Sequence, residues 1–341
     1  MSQERNASIL SRNDNERNNG STTLERRRKI LFSLLGASIG TKTKMLPAFA
    51  NNDGDVNESS SKSRQQLILE EPKECRNGGI VSESAVPGAY QGSCMDLNER
   101  SLQLKSSGDI VTVYQGTNSG GGMAGRTGVA VWNSGILLTR LLDALHQSSP
   151  TTFQSKTVLE LGCGTGLASI ACAKLGASHV IATDANAEVL ELAKRNIERN
   201  DVSSIVDTAA LQWGAMDASE YFNVADIIIG SDLTYNSGSW VALAETMSTI
   251  LKENGIVIYL SLGHSGFNVS GEMGGFLSVA GNVGLRVLTV ENVDLKNVVG
   301  NLSSAEEVVS RVVTSEERNV IDANGGVRVV FLGKKKILRK G

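Results

Sequence analysis

The run Glu160-Leu-Gly162-Cys163-Gly164-Thr-Gly166 sets an acid and three glycines close together, and Asp184 follows in the next apolar stretch, "HVIATD". Glycine adopts backbone angles that a Cβ forbids, so such a run turns sharply and lets a ligand reach the main chain. An acid at the end of the neighbouring strand accepts hydrogen bonds from both hydroxyls of a ribose. The chemistry on offer is nucleoside binding, and the spacing narrows it. A dinucleotide fingerprint, G-x-G-x-x-G, needs glycine where Leu167 stands, and no Gly-Lys-Ser/Thr marks a triphosphate loop.

The elements that must carry these residues follow from hydrophobic period. Apolar stretches near 157–161, 179–183, 207–212, 225–230, 255–261, 284–290 and 327–332 read as strands. Between them, helices are expected near 166–175, 187–199, 239–253, 269–282 and 303–313. The helix 187–199 brings Leu190, Ala193 and Ile197 onto one face. Upstream, Arg100–Gly116 alternates about Ser-Ser-Gly-Asp and predicts a β-hairpin. A glycine-rich connection, Asn118–Gly128, leads to an amphipathic helix over Val131–Gln147. Alternating strands and helices, with near-continuous apolar strands, imply an α/β fold: a mostly parallel sheet covered on both faces. Ligands of such sheets sit at the carboxyl ends of the strands, at the switch point of the winding.

The stretch Val158–Asn186 resembles motifs I and II of the class I, seven-stranded, Rossmann-like methyltransferases that use S-adenosyl-L-methionine. "TGVAVWNSGILLTRLLD" (Thr127–Asp143), "LQWG" (Leu211–Gly214) and "DIIIGSDLTY" (Asp226–Tyr235) are similar to the protein-lysine methyltransferases marked by an Asp-x-x-Tyr motif, methyltransferase family 16. The resemblance covers roughly residues 100–335. It implies that Glu160, Gly162, Cys163, Gly164 and Gly166 pack under the methionine part of the cofactor and that Asp184 holds its ribose. Trp132 would lie beside the cofactor, Trp213 over its adenine edge and Ser231 against it. Taken alone, both tryptophans read as core aromatics. Asp232 and Tyr235, just after the fourth strand, would receive and aim the acceptor amine.

Relatives of this fold that methylate amide or base nitrogens carry Asn/Asp-Pro-Pro-Tyr; here Asp232-Leu-Thr-Tyr235 lacks both prolines. The formal net charge is −3, without the basic excess that a nucleic-acid partner calls for. A lysine side chain of another protein is therefore the expected acceptor. A small-molecule N- or O-methyltransferase and an inactive cofactor-binding module are the alternatives. His264 and the glycine-rich stretch 263–275 lie on the expected substrate side. The three histidines are scattered and no C-x-x-C occurs, so no metal site is expected.

Residues 1–74 read as a disordered leader rich in Asn, Ser, Arg and Glu. The apolar run Ile30–Ile39, after a basic start and before Ala48-Phe49-Ala50, reads as readily as an organellar, plastid-type targeting segment as it does a chance patch in a cytoplasmic protein. It is too short to span a bilayer. An N-terminal extension with the hairpin (75–125), a methyltransferase domain (126–336) and a basic tail (337–341) complete the expected organisation of a monomer. Cys75 and Cys94 would pair only in an oxidising compartment, and Cys163 and Cys172 read as small buried thiols.

Overall fold

The computed structural model describes residues 63–80, 94, 97–116, 127–214, 221–263, 269–289, 293–302, 304–323 and 325–335. Residues 1–62 with the targeting segment, most of the glycine-rich connection, His264 and the basic tail lie outside them.

The strands are β1 (Glu99–Gln103), β2 (Ile110–Tyr114), β3 (Thr157–Leu161), β4 (His179–Asp184), β5 (Val206–Ala210), β6 (Ala225–Ser231), β7 (Leu251–Leu262), β8 (Leu285–Val287) and β9 (Val327–Lys334). The helices are α1 (Arg64–Glu70), α2 (Asn133–Ser148), α3 (Leu167–Lys174), α4 (Ala187–Arg199), α5 (Trp240–Ile250), α6 (Val269–Asn282), α7 (Val293–Val299), α8 (Ala305–Val312) and α9 (Ser315–Ala323). Seven strands form one sheet in the order β5-β4-β3-β6-β7-β9-β8. Its first five are mutually parallel, and β9 runs antiparallel to both neighbours. This is the Rossmann-like sheet expected from the motifs. Its winding reverses between β3 and β6, which opens the crevice beside the glycine turn.

Strand alternation divides the core in two. Val158, Val180 and Ile227 face the cluster built with α2, α3 and α4. Leu159, Leu161, Ile228 and Tyr259 face the cluster built with α5 and α6. The stripe read on α2 is fully buried at Leu137, Leu138, Leu141, Leu142 and Leu145. Helices α4 and α6 keep the expected bounds, and the hairpin forms with Leu102 opposite Val111.

Four expectations are corrected. The leader is not structureless through residue 74, because α1 forms with a capping box in which Ser63 and Gln66 bond each other's backbone. Helices α7 and α9 were not expected. Helix α5 stops at Ile250, since Leu251 already pairs with Ala225 and starts a longer strand. β8 holds only three residues.

Among the described residues the hairpin pairs with no other strand; Asn196 of α4 and Asn200, the residue that caps its C-terminus, complete it instead. Asn200 accepts from Thr112 N at 3.1 Å and donates to Thr112 O at 2.7 Å. Asn196 does the same at Tyr114, at 2.7 and 3.1 Å, and also donates to Thr165 O at 2.9 Å. One helical turn thus spaces two amides to copy a β-ladder, and Asn196 ties the hairpin to the glycine turn.

A strap precedes the hairpin. Cys75 and Cys94 are disulfide-bonded across 19 residues. Glu71 accepts from Ser101 N at 2.6 Å, and Arg100 donates to Cys75 O and Gly79 O at 3.2 and 3.3 Å. Closing a loop of this length stabilises the fold by about 3 kcal/mol in the chain-entropy account. Dithiothreitol is therefore expected to lower the unfolding midpoint in scanning calorimetry, and an unchanged midpoint would contradict a structural role for the bond.

Candidate functional site

The site collects at the carboxyl edge of β3, β4, β6 and β7. After Leu161 the chain turns through Gly162, Gly164 and Gly166, all at positive φ (63°, 52° and 80°), where an L side chain is strained. The turn is also crowded. A Cβ on Gly162 would stand 2.7 Å from Leu233 Cδ2 and 4.0 Å from Trp213 Cζ2, and one on Gly164 would stand 3.1 Å from Gly128 O. The first of these contacts joins the glycine turn to the Asp232–Tyr235 turn, two segments some seventy positions apart in the chain. Trp213 is half-buried with its six-membered ring toward Gly162. Gly128 also lies against Val189, so the segment before α2 crosses over the turn. Trp132 braces that segment by donating Nε1–H to Thr127 O at 2.6 Å.

Asp184 closes β4, half-buried. Its carboxylate accepts from Gly164 N at 3.3 Å and from Asn186 N at 3.0 Å. Burial raises its pKa, against the lowering effect of those backbone donors. A carboxylate offers about four lone-pair directions, so two bonds leave it able to accept from a diol. The turn without side chains and the acid beside it fit a nucleoside-bearing cofactor.

Glu160 lies one residue before the end of β3. It points to the α3 side of the sheet, where its carboxyl accepts from Ser169 N at 2.9 Å and from the Ser169 hydroxyl. Because Gly166, the residue that opens α3, has no side chain to cap the helix, Glu160 supplies the acceptor from the strand. Burial pushes its pKa from 4.5 to about 8. The folded value lies above the unfolded one, so this group's contribution is fully present below about pH 4 and is lost as pH rises through about 8. The unfolding midpoint is expected to fall by a few degrees between about pH 5 and about pH 9, and by less in Glu160→Gln. Parallel curves for the two proteins in scanning calorimetry would contradict this. Cys163 and Cys172 are buried free thiols, and burial holds both well above the usual thiol range.

At the end of β6, Ser231 is half-buried and Asp232 takes a left-handed backbone, φ 51°. Asp232 N donates to Leu260 O at 3.0 Å, and its Oδ1 accepts from Leu262 N at 2.6 Å. Tyr235 is 62% exposed at the rim. The structure thus brings the glycines, Asp184, Trp213, Ser231 and Asp232 to one edge, with Trp132 bracing the cover. Tyr259, which sequence reasoning passed over as an apolar strand residue, underlies the Asp232–Tyr235 turn. Among the described residues no cluster of His, Cys, Asp and Glu suits a metal ion, and no helix is long and apolar enough to cross a membrane.

Residues 118–265 match a family model described as lysine methyltransferase. The chain is 38% identical over 110 residues to the calmodulin-lysine N-methyltransferase of Arabidopsis thaliana, covering 31% of this chain and 36% of that protein. It is 34% identical over 137 residues to the protein-lysine N-methyltransferase EFM3 of Chaetomium thermophilum, covering 38% and 40%. It is 39% identical over 80 residues to the ribosomal protein L11 methyltransferase of Thermotoga maritima, covering 24% and 28%. The chain therefore spans less than half the length of each of these relatives.

Proposed function

We propose that this chain, whose residues 118–265 match the lysine methyltransferase family, is an S-adenosyl-L-methionine-dependent methyltransferase acting on a lysine side chain of another protein. The observation that carries the reading is the contact of the glycine turn with the Asp232–Tyr235 turn through Gly162 and Leu233. It sets a nucleoside-binding edge and an acid–phenol pair side by side. When bound, the cofactor supplies an electrophilic methyl group on a sulfonium. Gly162, Gly164 and Gly166 give it the main chain, Asp184 its ribose acceptor, and Trp132, Trp213 and Ser231 line its surroundings.

The protein's remaining work is to deliver a neutral amine. A free lysine near pKa 10.4 is neutral in only about one molecule in 2,500 at pH 7, a cost of roughly 4.6 kcal/mol. Burial beside a cation lowers that pKa. Asp232 attracts the ammonium and orients it, and Tyr235 fixes its direction. A carboxylate raises an amine's pKa, so Asp232 is assigned positioning rather than proton removal, and the amine proton leaves to solvent. The Asp-Leu-Thr-Tyr sequence without prolines and the net charge of −3 support a protein acceptor over a nucleic acid. The Cys75–Cys94 bond supports the targeting reading of the leader over the cytoplasmic one.

The test is incubation of the purified chain and a lysate with methyl-labelled S-adenosylmethionine, followed by mass spectrometry of the labelled proteins. Methyl-lysine in a protein is the expected result. Label confined to small molecules or nucleic acid would overturn the assignment.

A further inference from the structure

We infer that Tyr259 is a positioning residue for methyl transfer: its hydroxyl clamps the Asp232–Tyr235 turn from beneath, at the inner end of a hydrogen-bonded chain that runs through Thr234 to Glu272. The inference rests on the function proposed above.

Tyr259 lies inside β7 and is fully buried, with its ring 5.8 Å from that of Phe276. Burying a phenol hydroxyl is costly unless it is bonded. Here the oxygen accepts from Leu233 N at 2.8 Å and from Thr234 N at 3.1 Å. Those two bonds occupy both lone pairs, so the remaining contact, to Thr234 Oγ1 at 3.0 Å, is one in which Tyr259 donates. The Thr234 hydroxyl then gives its own hydrogen to Glu272 Oε1 on α6. Thr234 O accepts from Trp240 Nε1 at 2.7 Å. Every donor and acceptor direction in the chain is thereby fixed.

The clamp sits beside a residue in the left-handed backbone region. Asp232, at φ 51°, is a non-glycine residue in the left-handed region, and such a residue persists only where its surroundings over-determine it. Strand β7 supplies that determination at Leu260, Leu262 and Tyr259. The first two hold Asp232 itself. Tyr259 holds the next two amides, the only stretch between Asp232 and Tyr235. Without its hydroxyl, two adjacent buried N–H groups lose their acceptor. The turn then rotates to find new partners and both functional side chains lose their aim.

The test compares the full chain with Tyr259→Phe by three readouts. Turnover on the protein that the labelling experiment marks is expected to fall at least tenfold at saturating acceptor, since misaimed reactants lose that much. Binding of S-adenosylhomocysteine, read by calorimetry, is expected to stay within about twofold. Hydrogen exchange of the Leu233 and Thr234 amides is expected to accelerate at least tenfold. Turnover within about twofold of wild type would overturn the inference. So would cofactor affinity and turnover falling together, which marks mere loss of fold. Should Tyr259→Phe fail to fold, Thr234→Val breaks the chain one link further out. A several-fold loss of turnover at unchanged cofactor affinity supports the clamp, and full turnover overturns it. If the wild type transfers no methyl group, the proposed function falls, while the exchange rates still decide whether Tyr259 clamps the turn.

Discussion

Asp232→Asn is expected to lower methyl transfer about a hundredfold while S-adenosylhomocysteine affinity stays within a few-fold, because a misaimed nucleophile loses roughly that much. Asparagine is the informative substitution. It tolerates the left-handed backbone at φ 51° and keeps an oxygen for Leu262 N, so the turn survives and only the charge is lost. Asp232→Ala removes charge and oxygen together and puts a less tolerant residue into the same strained angle. It should therefore lose stability as well. Tyr235→Phe, at a side chain 62% exposed, should leave the unfolding midpoint unchanged and still reduce transfer. Steady-state rates paired with calorimetric titrations separate these effects. Wild-type turnover in Asp232→Asn would leave the Asp-x-x-Tyr assignment without support.

Asp184→Ala is expected to weaken S-adenosylhomocysteine binding by tenfold or more. Each hydrogen bond to a charged acceptor is worth about 1.5–3 kcal/mol, and the ribose offers two hydroxyls. The structure adds a second route to the same loss. The carboxylate also holds Gly164 N and Asn186 N, so its removal loosens the glycine turn and the start of α4 together. Asp184→Asn retains acceptors for part of this network and should fall between the two. Titration of the wild type with NAD supplies the contrary outcome: tight NAD binding with no response to S-adenosylhomocysteine would mean that the glycine spacing was misread.

Much of this architecture was legible because local pattern and tertiary role coincide. The face Leu190, Ala193 and Ile197 defines α4, and the glycine turn announces itself by residue type. The features that escaped are those whose partners are remote or whose residues carry two meanings. Asn196 is fully buried on the same helix, but its partners Tyr114 and Thr165 lie 82 and 31 residues away. Glu160 stands beside the glycine turn, and only the fold reveals that its carboxyl caps α3 at Ser169. Tyr259 counts as an ordinary strand aromatic until its hydroxyl is seen beneath the Asp232 turn. Helix α1 did carry a local signal, the Ser63 and Gln66 capping box, but its apolar residues Leu67, Ile68 and Leu69 are consecutive and none is buried, so no helix face is marked.

The place of β9 has a consequence for how the chain is made. It comes last among the strands, yet it lies between β7 and β8. Some 65 positions separate Leu262 from Val327, a span that a ribosome traverses in roughly 3–13 s at about 5–20 residues per second. During that interval the five parallel strands, and with them the cofactor edge, can already be assembled. One flank of β7 meanwhile stands open along Val257–Leu262, an unpaired and largely apolar edge of the kind that recruits other chains. The edge proposed to hold the cofactor can thus be in place before the sheet is safe from aggregation, and the eight residues Val327–Lys334 end that exposure.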